Sequence, residues 1–184
     1  VTTAAGDLLR EVAPAPASSQ LAWVAKVHDT NDLQVDLLDL GTGSSRDLGR
    51  IPSTWRLLGW TADESALIFV GPQASQAVTM QIRRLSIATR RLEEAGRIER
   101  CILATARLDA SGQRILVTRL DGDVPNLYTV ALRDGAAQAV TRNSLPGVTY
   151  SGATSVPAGA VVYVSDERKQ DIWLLKAGGK LPPS

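Results

Sequence analysis

Cysteine and histidine are almost missing from this chain: Cys101 and His28 are the only ones among 184 residues. One cysteine cannot close an internal disulfide, and with a single histidine it cannot assemble a zinc site. A lone His also leaves little general acid–base capacity near neutral pH. Charge of either sign is not in excess, with 20 basic against 19 acidic side chains and a net charge of +1. That balance removes the electrostatic footprint on which nucleic-acid binding depends. Aromatics make up only 4%. No apolar run approaches the roughly 18 residues that a bilayer-crossing helix requires; the longest candidate, Val156 to Val164, is interrupted by Pro157 and Gly159. Apolar residues nonetheless reach 44%, which argues against disorder and suffices for a real core.

The two ends read differently from the middle. A chain that begins at Val1 implies processing or a longer precursor. Residues 1–20 contain an Ala/Pro/Ser stretch from Val12 to Ser19 whose alternating prolines favour extended backbone and exclude helix there. This segment is expected to be a linker. Alternatively, Asp7 to Val12 closes the last structural unit as an outer strand, or forms a short helix or stalk. Residues 178–184 read as a tail.

Between them lies a repeat. Four apolar runs, centred on Trp23, Phe69, Val117 and Tyr163, are spaced 46, 48 and 46 residues apart. A second set, marked by Val35, Ile82, Leu127 and Ile172, follows at 47, 45 and 45. A period in the forties, built of short strands punctuated by Asp, Ser and Gly turns, is the signature of propeller blades. Ala62 to Ser65 and Asp109 to Gly112 supply hairpin chemistry between the first and second strands of their units. Third strands alternate apolar and polar residues, and fourth strands are shorter and more polar, as suits an outer edge. A helical stripe competes at Ile82, Leu85, Ala88, Leu92, Ala95, Ile98 and Ile102. Gly96, several β-branched residues and the alignment with strands in the other units outweigh it. The expectation is an all-β propeller of about four four-stranded blades over residues 21–177.

Each blade shields its neighbour's apolar flank, so an open arc leaves two flanks uncovered. Three solutions follow: a small closed ring, two copies of the chain completing a larger ring as a homodimer, or a fragment of a longer ring.

The unit from Gly59 to Val70 resembles the repeat of TolB-type β-propellers, where a Trp-Ser-Pro-Asp-Gly turn leads into a hydrophobic strand. Val162 to Leu174 resembles the second half of that repeat. Ala62 and Glu64 stand where the pattern has Pro and Gly, and the first unit has no recognisable opening strand. The resemblance implies a non-catalytic, periplasmic or otherwise extracytoplasmic module for protein–protein interaction or ligand sensing. It is also compatible with the propeller accessory domain of a prolyl-oligopeptidase-like hydrolase whose catalytic domain lies elsewhere.

The residues offer little catalysis. His28, beside Asp29, falls in a turn; no Gly-x-Ser-x-Gly elbow exists. Cys101 sits among apolar neighbours, which favours an inert buried thiol. Gly41 to Arg46 opens like a dinucleotide loop but ends in Arg and lacks the strand–helix context, so it reads as a turn. Asp121-Gly-Asp lacks the closing acid of a calcium loop, and neither a metal nor a cofactor is expected. Arginines 83, 84, 90, 91, 97 and 100 are interleaved with Glu93, Glu94 and Glu99, a solvated outer face rather than a nucleic-acid surface. The candidate contact residues are Trp55, Arg56, Arg100 and Tyr150. They fall in loops entering first strands, which gather around the channel mouth of a propeller, and Trp, Tyr and Arg dominate binding hot spots. A protein partner or a small ligand is expected there.

Overall fold

The computed structural model describes residues 8–28, 30–73, 76–155 and 160–167. The chain folds as consecutive antiparallel meanders. The first sheet comprises β1 (Leu8–Pro14), β2 (Gln20–Lys26), β3 (Asp32–Asp39) and β4 (Ser45–Pro52), in that spatial order. The second comprises β5 (Arg56–Trp60), β6 (Ala66–Gln73), β7 (Gln76–Ser86) and β8 (Leu92–Ile98). A short 3-10 turn, Leu103–Thr105, then leads to β9 (Arg107–Leu108), β10 (Arg114–Asp121), β11 (Val124–Ala131) and β12 (Ala137–Ala139). The fourth sheet shows β13 (Val148–Ser155) and β14 (Val161–Glu167). The expected third strand around Ile172 and the tail lie outside the described residues. The architecture is a β-propeller arc, and among the described residues its ring is not closed.

The recurring markers have one geometric meaning. Trp23, Phe69, Val117 and Tyr163 occupy the second strand of their sheets. Side chains alternate across a strand, so neighbours in sequence serve opposite interfaces. Phe69 joins Val24, Val35 and Leu57 in the core between the first and second sheets, whereas Ile68 and Val70 join Ile115 and Val117 between the second and third. A third, smaller cluster of Leu127, Tyr150 and Ala153 lies between the third and fourth. Such strands are apolar on both faces because both faces are covered. Only the last departs: Val162 and Val164 are 56% and 60% exposed.

The helical stripe resolves into strands. Ile82, Leu85 and Ile98 are buried, but β7 ends at Ser86 and a tight turn with Arg90 at φ 57° reverses the chain into β8. The apolar spacing that mimicked a helix is therefore shared between two paired strands. The N-terminal segment also differs from expectation. Leu8–Pro14 pairs with β2 and opens the first sheet; it is neither a linker nor a strand of the last unit. Among the described residues β1 has a partner strand on one side only, a position that tolerates Pro14.

The hairpin turns follow their sequence grammar. Asp63 accepts bonds from the Ser65 amide at 3.1 Å and the Thr61 hydroxyl at 2.7 Å. Asp109 accepts from the Gln113 and Arg114 amides, each at 3.1 Å. Gly112, at φ 65°, has no room for a side chain, since a Cβ would lie 2.7 Å from the Ala62 nitrogen. In the matching turn Glu64 adopts φ 53°, and its carboxylate accepts bonds from the Ala17 and Ser18 amides of the first sheet. That contact offsets the strain of a non-glycine residue in the left-handed region.

Candidate functional site

The connections β4–β5, β8–β9 and β12–β13 lie at one end of the arc, beside the β2–β3 and β10–β11 turns. Backbone bonds fasten them there: the Ser53 amide donates to Asn31 O at 2.8 Å, and the Leu120 amide donates to Arg100 O at 2.7 Å. At the third connection, Asn126 is 5% exposed and fully engaged. Its amide donates to Asp121 Oδ2 at 3.1 Å, and its Oδ1 accepts from Asn143 N at 2.6 Å and from Thr141 Oγ1 at 3.0 Å. A satisfied buried polar group of this kind fixes a loop's position.

A second set of bonds ties the innermost strands together. Glu11 on β1 accepts from the Leu57 amide at 2.5 Å through Oε2 and from Arg56 Nε at 3.4 Å through Oε1. The Arg56 guanidinium continues to Leu103 O at 3.4 Å and Ala104 O at 3.2 Å, so one side chain links the first sheet, the second sheet and the 3-10 turn that leads to the third. Trp60 Nε1 donates to Ala13 O at 2.9 Å. Glu11 was not among the residues singled out from sequence. Its role is set by a neighbour some forty-five positions away, and no local motif carries that signal.

The four candidate contact residues are placed unequally. Trp55 is 7% exposed and belongs to the first core cluster; the Arg83 guanidinium lies 5.2 Å from its ring centre. Its indole fills space that Gly71 leaves open, since a Cβ there would lie 2.5 Å from Trp55 Cδ2. Tyr150 lies within β13 and Arg56 opens β5, so neither is in the loop expected for it; Tyr150 is 8% exposed and meets Tyr163 edge-on at 5.5 Å. Arg56 is half-buried in the staple just described. Arg100 is exposed, at φ 52°, and donates to Leu120 O at 3.1 Å and to Gly122 O. The two aromatics are thus buried beneath the loops, and of the four residues Arg100 is exposed and Arg56 partly so. Tyr150 and Thr118 also line a cavity of about 120 Å³ with Thr105 and Arg107. Among the described residues, the buried Thr118 hydroxyl has no hydrogen-bond partner.

Burial pushes the Cys101 thiol pKa up, and its Sγ donates to Ile98 O at 3.3 Å. His28 is exposed in the β2–β3 turn, and Asp29 lies outside the described residues. Gly41 and Thr42 amides donate to Asp39 Oδ1 at 2.8 and 2.9 Å, an ordinary turn. Gly122 and Asp123 form the tight turn of the β10–β11 hairpin.

No family model matches the chain, and no curated protein matches it. Solved structures do. TolB from Acinetobacter baumannii superposes with a TM-score of 0.64 at 16% identity, over 90% of this chain and 39% of that one. Pyrococcus horikoshii acylaminoacyl peptidase gives 0.55 at 10% identity, over 90% of this chain and 29% of that chain. The β-propeller domain of the Trilobed protease from Pyrococcus furiosus gives 0.52 at 10% identity, over 78% and 45%. The fold is that of a TolB-like β-propeller, and the chain spans less than half the length of each of these three structures.

Proposed function

We propose that this chain is a non-catalytic, extracytoplasmic propeller module that presents the rim around Arg56 and Arg100 to a protein partner or a small ligand. The observation that carries this reading is the fastening of the rim before any partner arrives. Glu11 and the Ala104 carbonyl hold the Arg56 guanidinium, and the Leu120 carbonyl holds that of Arg100, so little side-chain entropy is lost on binding. The cavity beneath, at about 120 Å³, is below the usual range for ligand sites and has room for a few waters, so the exposed surface is the place for a partner. Placement outside the cytoplasm rests on the likeness to TolB; no described helix is long and apolar enough to cross a membrane.

Photo-crosslinking tests the surface. A crosslinker at position 100 is expected to capture a discrete partner, and one at Arg46, on β4, is not. Equal labelling from both positions would refute the rim. Likeness to peptidase propellers supports a second reading, an accessory domain of a hydrolase. Under both readings the chain alone turns over no aryl ester or peptide. Turnover lost in His28→Ala would overturn the non-catalytic assignment.

The exposed Val162 and Val164 flank fits an arc continued by further blades, either from the same polypeptide or from a second copy. Light scattering separates these. A homodimer has twice the 19.6 kDa mass of one chain, and a monomer at high concentration removes the second copy from the account.

A further inference from the structure

The opposite end of the arc carries the β5–β6, β7–β8, β9–β10 and β11–β12 turns. Between the second and third sheets it opens into a groove of about 600 Å³, within the usual range of about 300–1,000 Å³ for ligand sites. Its lining runs from the β5–β6 turn, on the inner strands, to the β11–β12 turn at the outer edge. It is therefore an elongated cleft between two sheets. The floor is apolar, with Ile68, Ala95 and Leu132 packed into or against the second core cluster. Around it stand Arg84, Arg114 and Arg133, all exposed.

Two acids share the lining, and each is engaged in its own turn. Asp63 accepts from Thr61 and Ser65, and Asp134 Oδ1 accepts from the Ala136 amide at 2.9 Å. Among the described residues none of the three arginines has a carboxylate within 4.0 Å, although the charge of Arg84 acts on Asp63 and helps to lower its pKa; Arg114 and Arg133 have no such partner. Arg84 is held at one point, where its Nη2 donates to Ser65 Oγ at 2.6 Å. The groove thus offers guanidinium forks above an aliphatic floor.

We propose that this groove binds an extended, carboxylate-bearing peptide segment of a partner protein. Arginine forks match carboxylates in bidentate geometry, and the floor accepts the aliphatic side chains between them. An elongated cleft running from inner to outer turns fits an extended chain better than a compact metabolite. This surface is separate from the Arg56–Arg100 rim, so the two assignments fail independently.

The test is fluorescence anisotropy of a fluorescein-labelled Glu-Leu-Glu-Leu-Glu peptide titrated with the whole chain. Binding is expected to weaken with added salt. The double variant Arg114→Ala/Arg133→Ala is expected to lose at least about tenfold in affinity, the loss of charge-assisted bonds. Its melting temperature should be unchanged, because both side chains are exposed. Arg46→Ala/Arg50→Ala, on β4, should bind as the parent does. The proposal is overturned if the Gln-for-Glu peptide binds equally, if the groove variant binds undiminished, or if no binding appears at about 1 mM. Displacement by citrate at the same concentration as unlabelled peptide would assign the groove to small polyanions instead, and equal displacement by single-stranded DNA would assign it to polyanions in general.

Discussion

Replacing Phe69 by alanine removes a ring with no exposed surface from the interface between the first two sheets. Phe69 lies on β6, flanked by Leu57 on β5 and Arg83 on β7 and facing Val24 and Val35 across the cleft. Hydrogen-bonded strands wall the resulting hole on both sides, so it collapses poorly. Loss of transfer free energy plus the cavity term puts the cost at about 3–5 kcal/mol. For a chain of this size that is a fall in melting temperature of roughly 6–20 °C. Urea unfolding followed by Trp fluorescence reads the midpoint, and differential scanning calorimetry reads the temperature. Leu40→Ala, in the exposed turn after β3, is the control and should cost no more than about 0.5 kcal/mol. A Phe69→Ala loss below about 1 kcal/mol would mean that the second strands do not face their neighbours as described.

Other outcomes follow from single contacts. Gly71→Ala drives a methyl into the Trp55 indole and should cost about 1–3 kcal/mol by overpacking; in a Trp55→Leu background the penalty should shrink, as double-mutant thermal melts can measure. Thr61 and then Ser65 hold the Asp63 carboxyl down at about 2. The folded pKa is depressed, so its stabilising contribution is present above pH 4 and fades as pH falls toward 2; Asp63→Asn should flatten that part of an acid-unfolding curve, and an unaltered curve would contradict the assignment. Cys101, buried with a raised pKa, should react slowly with a disulfide reagent in the folded protein and promptly in urea; equal rates would place it at the surface.

The period of the repeat was legible in sequence because it has one physical cause. Trp23, Phe69 and Val117 recur where the second strand of each sheet lies, and such strands are apolar on both faces when both are covered. The first strand of the first sheet was not legible. Leu9 and Val12 are half-exposed, Pro14 ends the run, and the residue that matters most, Glu11, works through a bond to another sheet. Trp55 shows a related limit. Its loop was located correctly in the chain, but its burial depends on a missing Cβ at Gly71 on a different strand. The arginines that line the cleft between the second and third sheets come from three separate elements, and one of them, Arg84, lies within the run read from sequence as a solvated face. Only the stacking of two sheets brings them to one groove.

Amide hydrogen exchange across the rim tests most directly whether the contact loops are held in place by the fold. In the free chain, the Leu57, Ile102 and Leu120 amides, which donate to Glu11, Thr118 O and Arg100 O, should exchange far more slowly than an unstructured chain. Glu11→Ala, which removes the acceptor, should release Leu57 selectively. Exchange at unfolded-chain rates for all three would mean that the rim is assembled only on binding, and the account of a preformed contact surface would be wrong.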